Sequence, residues 1–357
     1  MITISLCMIV KNEENTLERC LYSVRNIVDE IIIVDTGSID KTKEIASKYT
    51  DKTYDFKWID DFAAARNYSF SKATKDFILW LDADDVFLEE DRELFKSLKS
   101  DLTLQIDVVM MKYVLKRDES GNILNYFYRE RLLKREKNFK WHDPIHEYID
   151  FIGNMILHTE IAVTHEKVGT SSERNLRILK KLISTSTDVH PRHFFYYARE
   201  SQDIGNLEEA ENYYLKFLDM KEDVFSHYIE SCIYLANIYI NKNERKKALQ
   251  SLIRSFEYGP MRAEVLCIIG HYYLEVKDYL TAIAWYELAL SLKKPDITWD
   301  FILPEYWDFL PNLELCHCYY MLGNVNKALE HHNNTKQLKP YHEIVIKNEE
   351  FFNCISK

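Results

Sequence analysis

The chain has 357 residues, 46% of them hydrophobic and 29% charged, with a formal net charge of -11 and 24 Tyr and 18 Phe against only 8 Gly and 7 Pro. Such a composition supports about two domains with packed cores and excludes low complexity or general disorder. The acid excess argues against a nucleic-acid partner, because phosphate neutralisation takes clustered Lys and Arg, and the longest basic group, Arg245 to Lys247, reads as a solvated helix face.

The N-terminal MITISLCMIVKNEE lacks a basic leader and a small-residue cleavage site, and its apolar run is too short to span a bilayer, so it reads as the first strand. No integral membrane segment is expected. Behind it, Leu17, Cys20, Leu21 and Val24 recur at helical spacing, with Asn12 as the candidate cap. EIIIVD is a second strand, followed by a Gly turn, Asp40 as a candidate cap, and another amphipathic helix. Two β-α units in succession call for a parallel sheet with helices on its faces. FILWLD is a third buried strand, VFLEEDRELFKSL a helix, and IDVVMMKYVL, YRERLLKR and TEIAVTH are further strands of a mixed sheet. The seven Cys include no C-x-x-C pair and read as buried reduced thiols, which implies a cytoplasmic setting.

From about residue 190 the period lengthens. GNLEEAENYYLKFL, NERKKALQSLIRSF, KDYLTAIAWYELAL and GNVNKALEHHNNTKQL each place an Ala five residues after the start of a turn, at Ala210, Ala248, Ala282 and Ala328. The first three lie close to the ~34-residue period of tetratricopeptide helix pairs. The longer last gap holds an insert containing Trp299, Tyr306 and Trp307, which either fills space between unequal repeats or reaches over the active site. Expected domains are therefore 1–170, an α/β domain; 171–340, an all-α helical repeat domain; and 341–357, a C-terminal tail.

Open parallel sheets bind ligands at the carboxyl ends of their strands. Asp35 ends the second predicted strand, and Asp82 and Asp84 stand one residue apart beyond the third. Carboxylates so placed turn oxygens toward a hard divalent cation, which relieves their repulsion and grips phosphate oxygens. The competing reading is that D-A-D-D caps the next helix. A second constellation, FKWHDPIHEYI, supplies His142, His146 and Glu147, with His165 at a later strand end. Pro144 breaks the helix that a zinc-binding His pair four apart would need.

IVKNEENTLERCLYSV, EIIIVDTGSIDKT, FAAARNYSF and FILWLDADD, in this order and spacing, resemble the nucleotide-sugar half of glycosyltransferase family 2, with its GT-A fold. The resemblance implies that Ile9 and Lys11 flank the uracil of a UDP-hexose and that Asp35 accepts its N3 hydrogen. Arg66 would lie by the base or pyrophosphate, and Asp82 and Asp84 would form the D-x-D motif, with Asp84 and His165 binding Mn2+ or Mg2+. The W-H-x-x-x-H-E segment resembles the repeat-bearing family 2 enzymes that S-glycosylate glycocin peptides, which brings in His142 and, through RERLLKRE, Arg131 as groups facing the sugar nucleotide. Because the leaving group is a diphosphate, Arg131 or Arg66 would stabilise charge on the β-phosphate. A base is needed on the opposite face of the sugar, and Glu147, then His146, are the candidates. The usual E-D and Q-x-x-R-W acceptor motifs of the family are absent.

The expected activity is inverting transfer of a hexose from a UDP-sugar to a Cys, Ser or Thr of a peptide held by the repeats, with a homodimer as a further partner arrangement. The alternatives are transfer to a cell-envelope glycan or lipid-linked acceptor, and a binding scaffold with an inactive GT-A domain.

Overall fold

Strand β1 (Ile4–Val10) is the centre of the N-terminal unit, and its residues are apolar almost without alternation because both faces are covered. The computed structural model describes residues 1–118, 121–166, 172–186, 189–220, 225–294 and 303–355. After β1 come α1 (Leu17–Val24), β2 (Glu30–Asp35), α2 (Thr42–Ser47), β3 (Thr53–Asp55), α3 (Phe62–Phe70) and β4 (Phe77–Trp80). They are followed by β5 (Asp85–Val86), α4 (Glu89–Asp101), β6 (Val108–Arg117), β7 (Ile123–Lys134), β8 (Trp141–His142), β9 (Tyr148–Ile149), β10 (Ile156–His165) and α5 (Ser172–Thr185).

The eight-stranded sheet has the order β3-β2-β1-β4-β7-β6-β10-β5, with β8 and β9 paired as a separate small hairpin. β1 is parallel to β2 and β4, and β2 to β3. β7 runs antiparallel to β4 and β6, β10 is parallel to β6, and β5 is antiparallel to β10. The sheet is therefore mixed and mainly parallel on its first half, as the two β-α units require. Leu6, Met8, Leu17, Leu21, Phe77, Leu79 and Phe95 belong to one core cluster.

The caps differ in detail from the expected ones. Asn12 does not cap α1. Its backbone is left-handed (φ 55°), a conformation that Asn tolerates, and this turns its side chain to accept from Ile39 N at 2.9 Å while its own N–H donates to Ser38 Oγ at 2.9 Å. Asn12 thus ties together the loops that follow β1 and β2. Asp40 accepts from Thr42 N at 3.0 Å and from Glu14 N at 3.1 Å, so it serves both the start of α2 and the same loop junction.

The chain divides into two compact units between Val189 and His190. The expected boundary at 170 lies outside the described residues. α5 belongs to the first unit, where Arg177 forms a bidentate pair with Asp60, both contacts 2.7 Å.

The second unit contains α6 (Arg192–Asp203), α7 (Leu207–Leu218), α8 (Phe225–Asn241), α9 (Arg245–Arg254), α10 (Ala263–Glu275), α11 (Tyr279–Ser291), α12 (Phe309–Met321), α13 (Val325–Leu338) and α14 (Glu343–Ile355). The turns between α6 and α7, α8 and α9, α10 and α11, and α12 and α13 share one construction. Gly205, Asn243, Lys277 and Gly323 have positive φ. The next residue's N–H reaches back to a carbonyl five residues earlier, at 2.9, 2.8, 3.0 and 2.9 Å, which satisfies a helix-end acceptor. Ala210, Ala248, Ala282 and Ala328 are fully buried, as close approach of paired helices demands.

Gly270 of α10 has the same purpose in sharper form: a Cβ there would lie 2.9 Å from Cε1 and Cζ of Tyr286, a ring that is itself buried. Replacing Gly by Ala in a helix ordinarily stabilises by about 1 kcal/mol. Here the sign is expected to reverse, and Gly270→Ala should destabilise by about 1–3 kcal/mol in a urea melt of the full chain.

Residues of the expected tail form α14, because Val345 and Phe352 give it a buried side and His332 Nε2 bonds Glu349 at 2.8 Å. Of the aromatic insert, Trp299 lies outside the described residues. Tyr306 and Trp307 pack on the repeat core, and Trp307 Nε1 donates to buried Glu264 at 3.1 Å. Among the described residues, no helix is long and apolar enough to cross a membrane.

Candidate active site

Three acids follow β4, and each has a different partner. Asp82 accepts from Arg66 Nη2 at 2.7 Å. Asp85 faces Arg131 Nη1 at 3.0 Å, with both side chains 0% exposed. Asp84 has only the imidazole of His165, whose Nδ1 lies 3.5 Å away, and no Lys or Arg among the described residues. The D-A-D-D run does not cap α4, because that helix begins at Glu89 and its N-cap position is Leu88.

Sheet register brings His165 to this turn. In the antiparallel pairing of β5 with β10, His165 is the cross-strand partner of Asp85. One ligand atom each from Asp84, Asp85 and His165 lie within 4.8 Å of one another. Asp85 is already engaged, since it accepts from Asp82 N at 3.0 Å as well as from Arg131. Asp84 and His165 are thus the pair with donor capacity to spare, and carboxylate plus imidazole beside a second carboxylate is a donor set that suits Mn2+ or Mg2+.

The electrostatics agree with the pairings. Burial acts to raise the Asp82 carboxyl, but Arg66 and Arg131 outweigh it and hold it at about 2. Burial raises Asp84 too, and although His165 opposes this, Asp82 and Asp85 add to it, so its carboxyl stays above the ordinary range. Asp82 thus has its charge compensated, and Asp84 is left with negative neighbours. Glu13, which motif reasoning did not single out, extends the same field: burial, Asp84, Asp82 and Asp40 raise its carboxyl against a bond from Thr16.

Arg66 is the hub on the other side. Its Nε donates to Glu147 Oε1 at 2.6 Å, and its guanidinium lies 5.0 Å from the ring centroids of both Trp80 and Trp141. Burial works against its charge, but Asp82 and Glu147 more than compensate and push its proton affinity up. Asn67, one residue on, exchanges two 2.9 Å bonds with the backbone of Trp141, and Phe62 N donates to Pro144 O at 2.9 Å. These contacts dock the β8–β9 hairpin on α3 and carry Glu147 to Arg66.

Arg131 sits elsewhere than a phosphate-facing role requires. It is fully buried below the acidic turn, 3.9 Å from the Trp80 ring centroid and 4.3 Å from that of Tyr113. A guanidinium so enclosed supports Asp85. Removing one member of such a buried pair typically costs about 3–5 kcal/mol.

Asp35 is buried at the end of β2 and divides its oxygens: Oδ1 accepts from Gly37 N and Ser38 N, both at 2.9 Å, while Oδ2 is buried with no hydrogen-bond partner among the described residues. Ile9 is half-buried in β1 beside Val34, and Lys11 is exposed just beyond the strand. His142 is exposed with its ring 5.4 Å from that of Tyr148, and His146 turns with a left-handed backbone (φ 53°) next to Glu147. The structure thus gathers Asp82, Asp84, His165, Arg66 and Glu147, places Arg131 beneath them, and leaves Asp35, Ile9 and Lys11 along the ends of β1 and β2. Asp85 was visible in the D-A-D-D run but not its engagement, and Tyr113 has no local signal at all because only the β6–β10 pairing sets it near His165.

Residues 5–155 match the model of glycosyltransferase family 2, and residues 263–296 that of the tetratricopeptide repeat. The chain is 38% identical over 152 residues to a TPR repeat-containing protein of Synechococcus elongatus, covering 42% of this chain and 36% of that one. It is 26% identical over 261 residues to the SPbeta prophage-derived glycosyltransferase SunS of Bacillus subtilis, covering 68% of this chain and 60% of that one. With an uncharacterized glycosyltransferase of Rickettsia felis it shares 30% identity over 187 residues, or 48% and 64% of the two chains. The chain therefore spans between 36% and 64% of these relatives' own length. Over residues 5–155 the chain is thus similar to glycosyltransferase family 2, and its helical repeats are similar to the tetratricopeptide repeat.

Proposed function

We propose that this chain is an inverting hexosyltransferase that moves a sugar from a UDP-hexose to a Cys, Ser or Thr side chain of a peptide presented by the helical repeats. The observation that carries the reading is the meeting of Asp84 and His165, from the β4–β5 turn and the end of β10, beside an Asp82 already paired with Arg66. In this reading Asp35 Oδ2 receives the uracil N3–H, Ile9 and Lys11 flank the base, and Asp84 and His165 hold Mn2+ or Mg2+. That cation, when bound, supplies compensation for the diphosphate's charge.

Glu147 takes the acceptor's proton. Arg66 occupies its Oε1, which leaves Oε2 as the accepting oxygen and fixes the carboxylate's direction. As the acceptor sulfur or oxygen bonds to the anomeric carbon, the bond to the β-phosphate oxygen breaks and its electron pair departs with UDP. His142 and Tyr148 form an exposed ring pair on the hairpin that carries Glu147, a suitable border for the sugar. The repeat helices supply the kind of surface that holds an extended peptide.

The test uses the full chain with Mn2+ and a panel of UDP-sugars, adding small peptides encoded beside this gene. UDP should be released slowly without acceptor and much faster with the right one, which should gain the mass of one hexose. Absence of any UDP binding heat, with or without Mn2+, would remove the proposal.

A further inference from the structure

The His165 ring has two nitrogens, and only one can serve a cation while the other is held by the protein. Around Nδ1 stand three oxygens: Tyr113 Oη at 2.8 Å, Asp85 Oδ1 at 3.3 Å and Asp84 Oδ1 at 3.5 Å. A bare lone pair on Nδ1 would face two carboxylates, which is repulsive. An Nδ1–H instead donates into all this oxygen density, most closely to Tyr113. A neutral ring with its proton on Nδ1 has its lone pair on Nε2.

We infer that Tyr113 is a positioning residue: its hydroxyl, with Asp85 behind it, receives the Nδ1–H of His165 and so fixes both the tautomer and the ring orientation that leave Nε2 for the cation. The inference rests on the reading above that Asp84 and His165 bind a divalent metal. Its supports are independent of that reading. Tyr113 is buried, its ring packs edge-on to Phe127 at 5.5 Å, and Arg131, paired to Asp85, lies 4.3 Å from the ring centroid. Arg131, Asp85 and Tyr113 thus form a connected buried layer under His165. The layer also gives the otherwise costly Arg131–Asp85 pair a purpose: Arg131 holds Asp85 Oδ2, which leaves Oδ1 beside the imidazole.

Tyr113→Phe removes the hydroxyl and leaves the ring contacts, so it tests position without excavating the core. Mn2+ is titrated by calorimetry, in the presence of UDP, into metal-free wild type and variant, and each metal-free protein is also melted. The expected result is a Kd for Mn2+ weaker by about 10-fold or more, with metal-free melting temperatures that agree. Nitrogen NMR of the histidine-labelled metal-free proteins, at a pH where the ring is neutral, should show His165 protonated on Nδ1 in wild type and a tautomer mixture in the variant. Equal Mn2+ affinities, or a wild-type ring protonated on Nε2, would overturn the inference and leave the metal reading standing. Failure of the wild type itself to bind Mn2+ would overturn both.

Discussion

Asp84→Ala will lose metal-dependent nucleotide binding while keeping its fold. Outer residues that merely orient a metal ligand contribute about 10- to 100-fold in affinity, so loss of a direct ligand should weaken the Mn2+ and UDP complex by at least about 100-fold. The stability side follows from the pairings. Asp84 faces no Lys or Arg among the described residues, only His165, and its carboxyl is pushed up by burial and by the neighbouring Asp82 and Asp85. Removing it leaves no buried cation without a partner and relieves like-charge repulsion, so the metal-free variant should melt at or above the wild-type temperature. Asp85→Ala provides the contrast one position away. It abandons a fully buried Arg131 and should cost about 3–5 kcal/mol. Calorimetry with UDP and Mn2+, paired with thermal melts, separates the two. If Asp84→Ala binds the nucleotide and metal as wild type does, the cation site is elsewhere.

Glu147→Gln should retain donor binding within a few-fold and lose turnover by about 10²- to 10⁴-fold, the usual contribution of a general base. The amide oxygen can still accept from Arg66 Nε, now 2.6 Å from Glu147 Oε1, so Arg66 and Asp82 keep their places while the proton acceptor disappears. Single-turnover transfer and UDP calorimetry read the two quantities independently. Normal transfer rates would shift the base to another group, with His146 on the same hairpin the next to replace. A large rise in the donor Kd with unchanged single-turnover chemistry would instead make Glu147 a support for Arg66. Arg66→Ala is a harsher change, since it removes the guanidinium that Asp82 and Glu147 share, and both binding and transfer should fall.

The contrast between Asp85 and Asp84 shows why composition of a motif is not its function. Both acids sit in one four-residue run. One is a fully buried member of an ion pair with a side chain of β7, the other a half-buried group with donor capacity left over. Their difference comes from strands β7 and β10, far off in the chain.

Local chemistry by itself determined the elements and the repeats. Apolar runs ending in acids gave β2 and β4, 3.6-residue spacing gave α1, and an Ala recurring five residues after the start of a turn gave the helix pairs, because hydrophobic periodicity and turn signals act over a few residues. The D-x-D pair and the W-H-x-x-x-H-E segment were legible for the same reason. What only the tertiary structure decided was pairing across the sheet: His165 opposite Asp85, Tyr113 beneath it, Arg131 drawn inward, and Glu147 docked on Arg66 by the hairpin. Those choices depend on strand register and on the cost of burying charge without a partner, and both are set by residues 46 to 81 positions apart, where no local pattern can report them.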